Sequence, residues 1–200
     1  MRRGWPLAYP GMRIGLLGGT FDPAHAGHRH IADEAMKRLS LDRIWWMATP
    51  QNPLKPAAAP LAQRMASARA QARGRRHVVT GIETDLRARY TIETVRALHA
   101  AYPGVRFVLL LGEDNLATFA RWRSWPALIE EIPIALFARP DGRAGLVVSK
   151  PFRRFAAARR AQRDAALLGD APAPAWCFVA APLSPLSSTA LRAARRQADA

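Results

Sequence analysis

Short runs of apolar residues alternate along this chain with longer segments in which apolar residues recur every three or four positions. The runs are typical of buried strands, and the spaced segments are typical of amphipathic helices. Strands are predicted at residues 12–18, 44–48, 77–82, 105–111, 134–138 and 176–179. Helices are predicted at 27–39, 61–72, 91–101, within 114–131, at 151–168 and at 188–197. Residues 49–56 and 139–149 are predicted to form loops.

Strands that alternate with helices indicate an α/β fold with a mainly parallel sheet, of the doubly wound, Rossmann-like kind. We expect a single domain over residues 12–200, preceded by residues 1–11 as a lead that is either disordered or the result of a start assigned too early. Ligands bind beyond the carboxyl ends of the strands in such sheets. Polar segments follow three of the predicted strands, so we expect them to share one crevice. These segments are 18–28, 49–56 and 112–115.

The composition predicts a packed globule and argues against several classes of protein. Half of the 200 residues are apolar and six are tryptophans, which is enough for a sizeable core. No apolar run approaches the roughly 20 residues that cross a bilayer, and no apolar stretch follows the N-terminal arginine pair, so neither a membrane span nor a signal peptide is expected. Cys177 is the only cysteine, which fits a reducing compartment, and we expect a cytoplasmic protein.

The formal net charge of +15 is compatible with two kinds of partner. A basic surface can bind nucleic acid or attract small anions. The basic residues are spread along the predicted helices and form only modest clusters at 73–76, 153–154 and 159–160. Because a nucleic-acid footprint is more often a concentrated block, we favour small anionic ligands and expect no nucleic-acid partner.

The most informative segment, residues 18–28, reads Gly-Gly-Thr-Phe-Asp-Pro-Ala-His-Ala-Gly-His and links the first predicted strand to the first helix. Its two glycines let backbone N–H groups approach an anion, and the helix N-terminus adds further N–H groups. His25 and His28 add donors that can carry charge near neutral pH. The segment is neither a Walker loop nor Gly-x-Gly-x-x-Gly. A metal site would need more ligands than Asp22 offers nearby, so we favour an anion site with no metal bound by the protein.

Residues 19–28 resemble the signature of the bacterial nicotinate-mononucleotide adenylyltransferases, members of the nucleotidyltransferase superfamily marked by a His/Thr-x-Gly-His motif. Near the C-terminus, Ser-Ser-Thr-Ala-Leu-Arg at 187–192 is similar to the second hallmark of that family, Ile-Ser-Ser-Thr-x-Ile-Arg. Between them, 89–91 resembles a Ser-Tyr-Thr segment, and 112–122 resembles a Gly-x-Asp…Phe…Trp segment. One departure lies at 52–55, where Asn-Pro-Leu-Lys stands in place of Pro-Pro-His-Lys.

This resemblance implies that the phosphate of nicotinate mononucleotide attacks the α-phosphorus of ATP, which yields nicotinate adenine dinucleotide and pyrophosphate in NAD biosynthesis. The implied partners are ATP and nicotinate mononucleotide, with Mg²⁺ bound mainly through the ATP phosphates. The attacking group is already an oxyanion, so catalysis reduces to positioning and charge neutralisation. A sister transferase acting on nicotinamide mononucleotide or phosphopantetheine is the alternative. The oligomeric state stays open.

The resemblance also implies a role for each candidate residue. Those implied to contact the reacting phosphates are His25, His28 and Arg192. Those implied to bind the nucleotide are Gly18, Gly19, Thr20, Phe21, Gly112, Asp114, Ser188 and Thr189. Those implied to bind the acceptor are Lys55, Thr91 and Trp122. Two of these residues have a purely structural alternative, since Asp114 is also a plausible helix cap and Trp122 a plausible core residue.

Overall fold

The structure is a computed structural model that describes residues 4–50, 58–112, 115–138 and 149–181. Seven strands within these ranges form one sheet with the order β3-β2-β1-β4-β5-β7-β6, and every neighbouring pair is parallel. The strands are β1 (Arg13–Gly19), β2 (Arg43–Ala48), β3 (His77–Thr80), β4 (Arg106–Gly112), β5 (Ile134–Ala138), β6 (Arg159–Arg160) and β7 (Trp176–Ala180). The predicted Rossmann-like α/β class is confirmed.

The helices connect successive parallel strands. They are α1 (Ala26–Arg38), α2 (Leu61–Gln71), α3 (Ile82–Asp85), α4 (Thr91–Ala101), α5 (Leu116–Phe119), α6 (Trp125–Glu131) and α7 (Lys150–Arg154). None of the described helices is long and apolar enough to cross a membrane.

Both faces of the sheet are covered, which explains why its strands are almost continuously apolar. Successive residues of a strand point to opposite faces, so neighbouring side chains enter different cores. Trp45 packs into one core with Leu16 and Leu109, whereas Trp46 packs into the other with Leu17. The indoles of Trp45 and Trp46 are fully buried, as expected for core tryptophans.

The prediction of one amphipathic helix over residues 151–168 is wrong. Helix α7 ends at Arg154, a 3-10 turn covers Ala156–Ala158, the short strand β6 follows, and a second 3-10 segment covers Gln162–Asp170. The indole Nε1 of Trp176 donates to the Phe155 carbonyl at 2.8 Å, and β6 pairs with β7 at the sheet edge. These tertiary contacts override the helix propensity of an alanine-rich segment.

Residues 4–11, part of the segment that the sequence analysis treats as a lead, pack against the domain. The Trp5 ring stacks on Tyr102 with centroids 6.1 Å apart, and the Tyr102 hydroxyl donates to the Pro6 carbonyl at 2.9 Å. The Gly11 N–H donates to the Gly104 carbonyl at 2.7 Å. The predicted helix at 188–197 lies outside the described residues.

Candidate active site

The carboxyl ends of three neighbouring strands meet at one edge of the sheet. Gly19 of β1 pairs with Ala48, the last residue of β2. The pairing of Leu17 with Leu110 brings Gly112, at the end of β4, level with the end of β1. The strand order reverses between β1 and β4, and ligands bind at this point in open α/β sheets. The three polar segments singled out in the sequence therefore start from one edge, as expected.

Two glycines leave room at this edge. Gly18 is exposed, and a Cβ placed there would meet no atom of the described residues within 4 Å. At Gly112 a Cβ would lie 3.4 Å from Cδ1 of Ile31, so the end of β4 approaches α1 closely. The β1 end is thus open to a ligand on one side, and α1 begins beside it.

His25 and His28 are joined by the backbone geometry of the start of α1. His25 is the N-cap residue, and its Nδ1 accepts the Gly27 N–H at 3.1 Å. The His25 N–H in turn donates to Nδ1 of His28 at 3.3 Å, and the two ring centroids lie 4.0 Å apart. Because both Nδ1 atoms accept hydrogen bonds, the donor of each neutral ring is its Nε2–H. The pair therefore presents two matched donors at a helix N-terminus.

Phe21 supports this pair rather than offering its ring to a ligand. Its side chain is 1% exposed and packs edge-on against the His28 ring, with a centroid distance of 5.1 Å. Its backbone lies in the left-handed region, with φ of 52°. The ring turns back over Gly19, where a Cβ would come within 2.8 Å of it, so only glycine fits there. Any contact of Phe21 with a nucleotide is limited to its backbone.

Thr20 lies between this turn and α2. Its carbonyl accepts a hydrogen bond from a guanidinium N–H of Arg64 at 2.8 Å. Its buried hydroxyl Oγ1 has no hydrogen-bond partner within the described part of the chain. A buried polar atom without a hydrogen bond lowers the stability of the folded state, so this hydroxyl supports a ligand contact at Thr20.

Two of the three predicted acceptor residues, Thr91 and Trp122, belong to described segments that meet near the start of α4. Thr91 is the first residue of the helix rather than its N-cap, because Tyr90 occupies that position. The Glu93 carboxylate accepts the Tyr90 N–H at 3.2 Å. The Arg123 guanidinium lies 5.6 Å from the Tyr90 ring centroid, which brings the neighbouring Trp122 to this end of α4. Trp122 is half-buried on the apolar core.

Glu83 is a buried carboxyl group beside these elements that the sequence analysis did not single out. It is 8% exposed, and the Thr94 hydroxyl of α4 donates to its Oε1 at 2.9 Å. Burial raises the pKa of Glu83 from its ordinary value of 4.5, against the opposing effect of the Thr94 and Thr49 hydroxyls. Glu83 thus links α3 to the helix that carries Thr91.

Replacing Glu83 with glutamine should remove a pH-dependent part of the stability. A carboxyl group whose pKa is raised in the folded state contributes stability at low pH and loses it as the pH rises through the folded pKa. We therefore expect the wild-type free energy of unfolding to fall relative to Glu83→Gln as the pH increases above about 4.5. Urea denaturation between pH 4 and 8 measures this, with the exposed Glu130→Gln as the matched control. Parallel pH profiles for wild type and Glu83→Gln would contradict it.

Five of the predicted site residues lie outside the described residues. They are Lys55, Asp114, Ser188, Thr189 and Arg192. The described chain leaves β7 at Ala181, on the same sheet edge as Gly19, because all strand pairs are parallel.

No group of three or more His, Cys, Asp or Glu side chains suited to a metal ion occurs among the residues that the structure describes.

Arg64 is the other residue that sequence reasoning missed. It is 2% exposed, although in the sequence it is one of two arginines on the alanine-rich helix α2. The sequence carries no signal that separates Arg64 from the exposed Arg69 on the same helix, because only the folded loops around α2 provide its partners.

Comparison with known proteins shows close relatives over nearly the whole chain. The cytidylyltransferase-like family model matches residues 16–194. A protein of Cereibacter sphaeroides named probable nicotinate-nucleotide adenylyltransferase is 51% identical over 192 residues, covering 94% of this chain and 100% of that protein. A protein of Ruegeria pomeroyi with the same name is 50% identical over 195 residues, covering 97% of this chain and 92% of that protein.

Two solved structures share the fold at low sequence identity. Nicotinic acid mononucleotide adenylyltransferase of Plasmodium falciparum, complexed with NaAD, matches with a TM-score of 0.70 at 16% identity, covering 91% of this chain and 83% of that one. A putative nicotinate-nucleotide adenylyltransferase of Vibrio parahaemolyticus matches with a TM-score of 0.55 at 16% identity, covering 94% of this chain and 88% of that one.

Proposed function

Since the chain belongs to the nicotinate-nucleotide adenylyltransferases, within the cytidylyltransferase-like family, we propose that the edge of the sheet beyond β1 and β4 is where it acts. The reaction transfers the AMP moiety of ATP to nicotinate mononucleotide, giving nicotinate adenine dinucleotide and pyrophosphate in NAD biosynthesis. The proposal extends this family assignment to the individual residues of this chain.

The observation that carries the site proposal is the paired arrangement of His25 and His28 at the start of α1. Their Nδ1 atoms accept backbone hydrogen bonds at 3.1 and 3.3 Å, so their Nε2–H groups are the donors for phosphate oxygens. Gly18 lies near the end of β1, the strand that leads into this turn, and a Cβ placed there would meet no described atom within 4 Å. Helix N-termini favour anions. We assign the ATP phosphates to this place, with Gly19, Thr20 and the Phe21 backbone around the nucleotide.

The chemistry asks little of the protein beyond placement and charge. The acceptor phosphate is already ionised, so no residue has to remove a proton from it. Negative charge grows on the phosphate oxygens and on the leaving pyrophosphate in the transition state, where preorganised donors are worth most. His25 and His28 supply such donors from a helix start whose hydrogen bonds hold both rings in place. A metal ion brought by ATP would neutralise further charge on the phosphates when it is bound.

We propose that this metal is Mg²⁺ and that phosphate oxygens and water hold it. Mg²⁺ usually keeps several waters and binds through substrate phosphates rather than in an all-protein cage.

The remaining candidate residues keep their proposed roles. Gly112 and Asp114 are proposed to bind the nucleotide, with the Asp114 carboxylate accepting hydrogen bonds from ribose hydroxyls. Lys55 is proposed to contact the acceptor phosphate. Ser188, Thr189 and Arg192 are proposed to contact the leaving phosphates.

We assign the acceptor to the start of α4. Backbone N–H groups in the first turn of a helix have no partner within that helix, so the N–H of Thr91 is suited to the nicotinate carboxylate. Trp122 is only half-buried and lies next to Arg123, which contacts the Tyr90 ring. An indole there can stack on the pyridine ring.

Trp122→Ala should mainly weaken acceptor binding. Loss of an aromatic stacking partner is worth about 0.5–1.5 kcal/mol beyond area burial, so we expect KM for nicotinate mononucleotide to rise about tenfold while KM for ATP changes little. Initial rates with each substrate varied in turn measure this. Trp125→Phe is the control, because Trp125 packs on the same core without a proposed ligand contact. An unchanged KM for nicotinate mononucleotide would mean that Trp122 only packs in the core and does not contact the acceptor.

The acceptor assignment is tested with a panel of substrates. Purified protein is incubated with ATP and Mg²⁺ and with nicotinate mononucleotide, nicotinamide mononucleotide or phosphopantetheine, and pyrophosphate release is measured. We expect the highest kcat/KM with nicotinate mononucleotide. No release with that acceptor would overturn the function, and a preference for another would move the chain to a sister activity.

We also propose that the protein works in the cytoplasm, where NAD synthesis draws on ATP. Its single cysteine is buried, and burial raises the pKa of the Cys177 thiol to about 11. Such a thiol is poorly reactive, which is compatible with a reducing compartment.

A further inference from the structure

Arg64 is a charged side chain buried among backbone carbonyls at the edge of the proposed site. Its guanidinium donates to the Thr20 carbonyl at 2.8 Å and to the Thr49 carbonyl at 2.7 Å. It also donates to the carbonyls of Pro50 at 2.9 Å and Ala59 at 2.7 Å. Thr20 follows β1, whereas Thr49 and Pro50 follow β2, so one side chain ties together the loops that leave two adjacent strands.

This arrangement is costly, which argues that it has a specific use. Burial lowers the pKa of Arg64 from its ordinary value, and only the nearby Asp22 charge opposes that effect. Buried charges are unfavourable unless hydrogen bonds satisfy them, and the planar fork of arginine can donate to four acceptors at fixed angles. A lysine at this position would keep the charge but lose that geometry.

Two further hydrogen bonds connect the same parts of the chain. The Ala24 N–H, just before His25, donates to the Ser67 hydroxyl of α2 at 2.9 Å. The Ala59 N–H donates to the Asp22 carboxylate at 3.3 Å. Helix α2 and the residue two positions before it therefore hold the turn from Thr20 to His25 along its length.

We propose that Arg64 is a positioning residue for the adenylyl transfer. It sets the β1–α1 turn, which carries the histidine pair, against the chain that leaves β2 at Thr49 and Pro50. In this way it fixes the position of the two histidine rings relative to the proposed phosphate site at the strand ends. The proposal rests on the proposed function and on the assignment of His25 and His28 to the phosphates. Among the described residues, every hydrogen bond that the Arg64 guanidinium donates goes to a backbone carbonyl, so Arg64 acts through the groups that it places.

Arg64→Lys is the main test, and Arg69→Lys is the matched control, because Arg69 is exposed on the same helix. Small misplacements of reacting groups cost about 100-fold in rate. We expect kcat of Arg64→Lys to fall about 100-fold while KM for each substrate changes less than about threefold. Thermal unfolding and circular dichroism confirm that the variant folds. Arg69→Lys should keep the wild-type kcat.

Chemical rescue separates positioning from general destabilisation. In Arg64→Ala, guanidinium ion added at low millimolar concentration should restore part of kcat, about tenfold, because it can donate to the same carbonyls. It should not change kcat of Arg69→Ala. A folded Arg64→Lys with wild-type kcat, or an Arg64→Ala that guanidinium leaves unchanged, would overturn the proposal.

Ser67→Ala provides a second route if the Arg64 variants do not fold. It removes the hydrogen bond to the Ala24 N–H without leaving a buried charge, so we expect kcat to fall about tenfold while the melting temperature falls by only a few degrees and the variant stays folded. An unchanged kcat in Ser67→Ala would then refute the role of α2. The wild-type protein is assayed first with nicotinate mononucleotide. An inactive wild type refutes the function itself, whereas an active wild type with active variants refutes only the positioning role.

Discussion

We expect His28→Ala to lower kcat for nicotinate adenine dinucleotide synthesis by about 10²–10³-fold and to leave KM for nicotinate mononucleotide within about threefold of wild type. Removing one preorganised donor from a site of developing charge has an effect of this size. The split between kcat and KM follows because the contact strengthens in the transition state, where phosphate charge is greatest. Steady-state kinetics with saturating ATP and Mg²⁺ measure both constants.

The matched control for this variant is His30→Ala, since His30 lies in the same helix but outside the motif. The His28 ring also packs against Phe21, with centroids 5.1 Å apart, so folding of His28→Ala is checked by circular dichroism. A folded His28→Ala that keeps wild-type turnover removes the histidine pair from the chemistry.

Replacing His25 by asparagine and by alanine separates its role as the N-cap of α1 from its proposed contact with the ATP phosphates. Asparagine is a good N-cap residue, so His25→Asn keeps an acceptor for the Gly27 N–H, which His25 Nδ1 accepts at 3.1 Å. It lacks the Nε2–H. We therefore expect His25→Asn to lose about 10²-fold in kcat while its free energy of unfolding stays close to wild type.

His25→Ala should lose the same activity and, in addition, about 1 kcal/mol of stability, the usual cost of replacing a capping side chain by alanine. Urea denaturation of the three proteins gives the stability difference, and the assay above gives kcat. Equal stability of the two variants would mean that the cap is unimportant. Full activity of His25→Asn would mean that the Nε2–H of His25 does not contact the phosphates.

The sheet could be predicted because local pattern and tertiary environment agree. Residues 44–48 form an uninterrupted apolar run, and they become the buried strand β2 because helices cover both faces of a parallel sheet. Over residues 151–168 the local pattern and the tertiary environment disagree. Alanine favours a helix, but the Trp176 indole donates a hydrogen bond to the Phe155 carbonyl, and strand β6 pairs with β7 at the sheet edge. No local pattern contains that information.

The candidate active site also contains some features that the sequence predicts and others that it does not. A glycine pair followed by two histidines is a dense local motif, so its place between β1 and α1 could be predicted from the order of residues. The surroundings of the individual side chains could not be predicted. The Phe21 ring, for example, is buried against the ring of His28. Its burial depends on contact with Trp46, which belongs to a different strand.

The order of the residues by itself determined the α/β class, most strand positions and the segment that holds the histidine pair, because these depend on neighbours close in the chain. Only the tertiary structure decided that β1 lies between β2 and β4, that Glu83 and Arg64 are buried, and that α2 holds the turn before His25. Each of these needs groups tens of residues apart to exclude water together. The cost of burying a charge or a carbonyl is set by that shared environment and not by the local sequence.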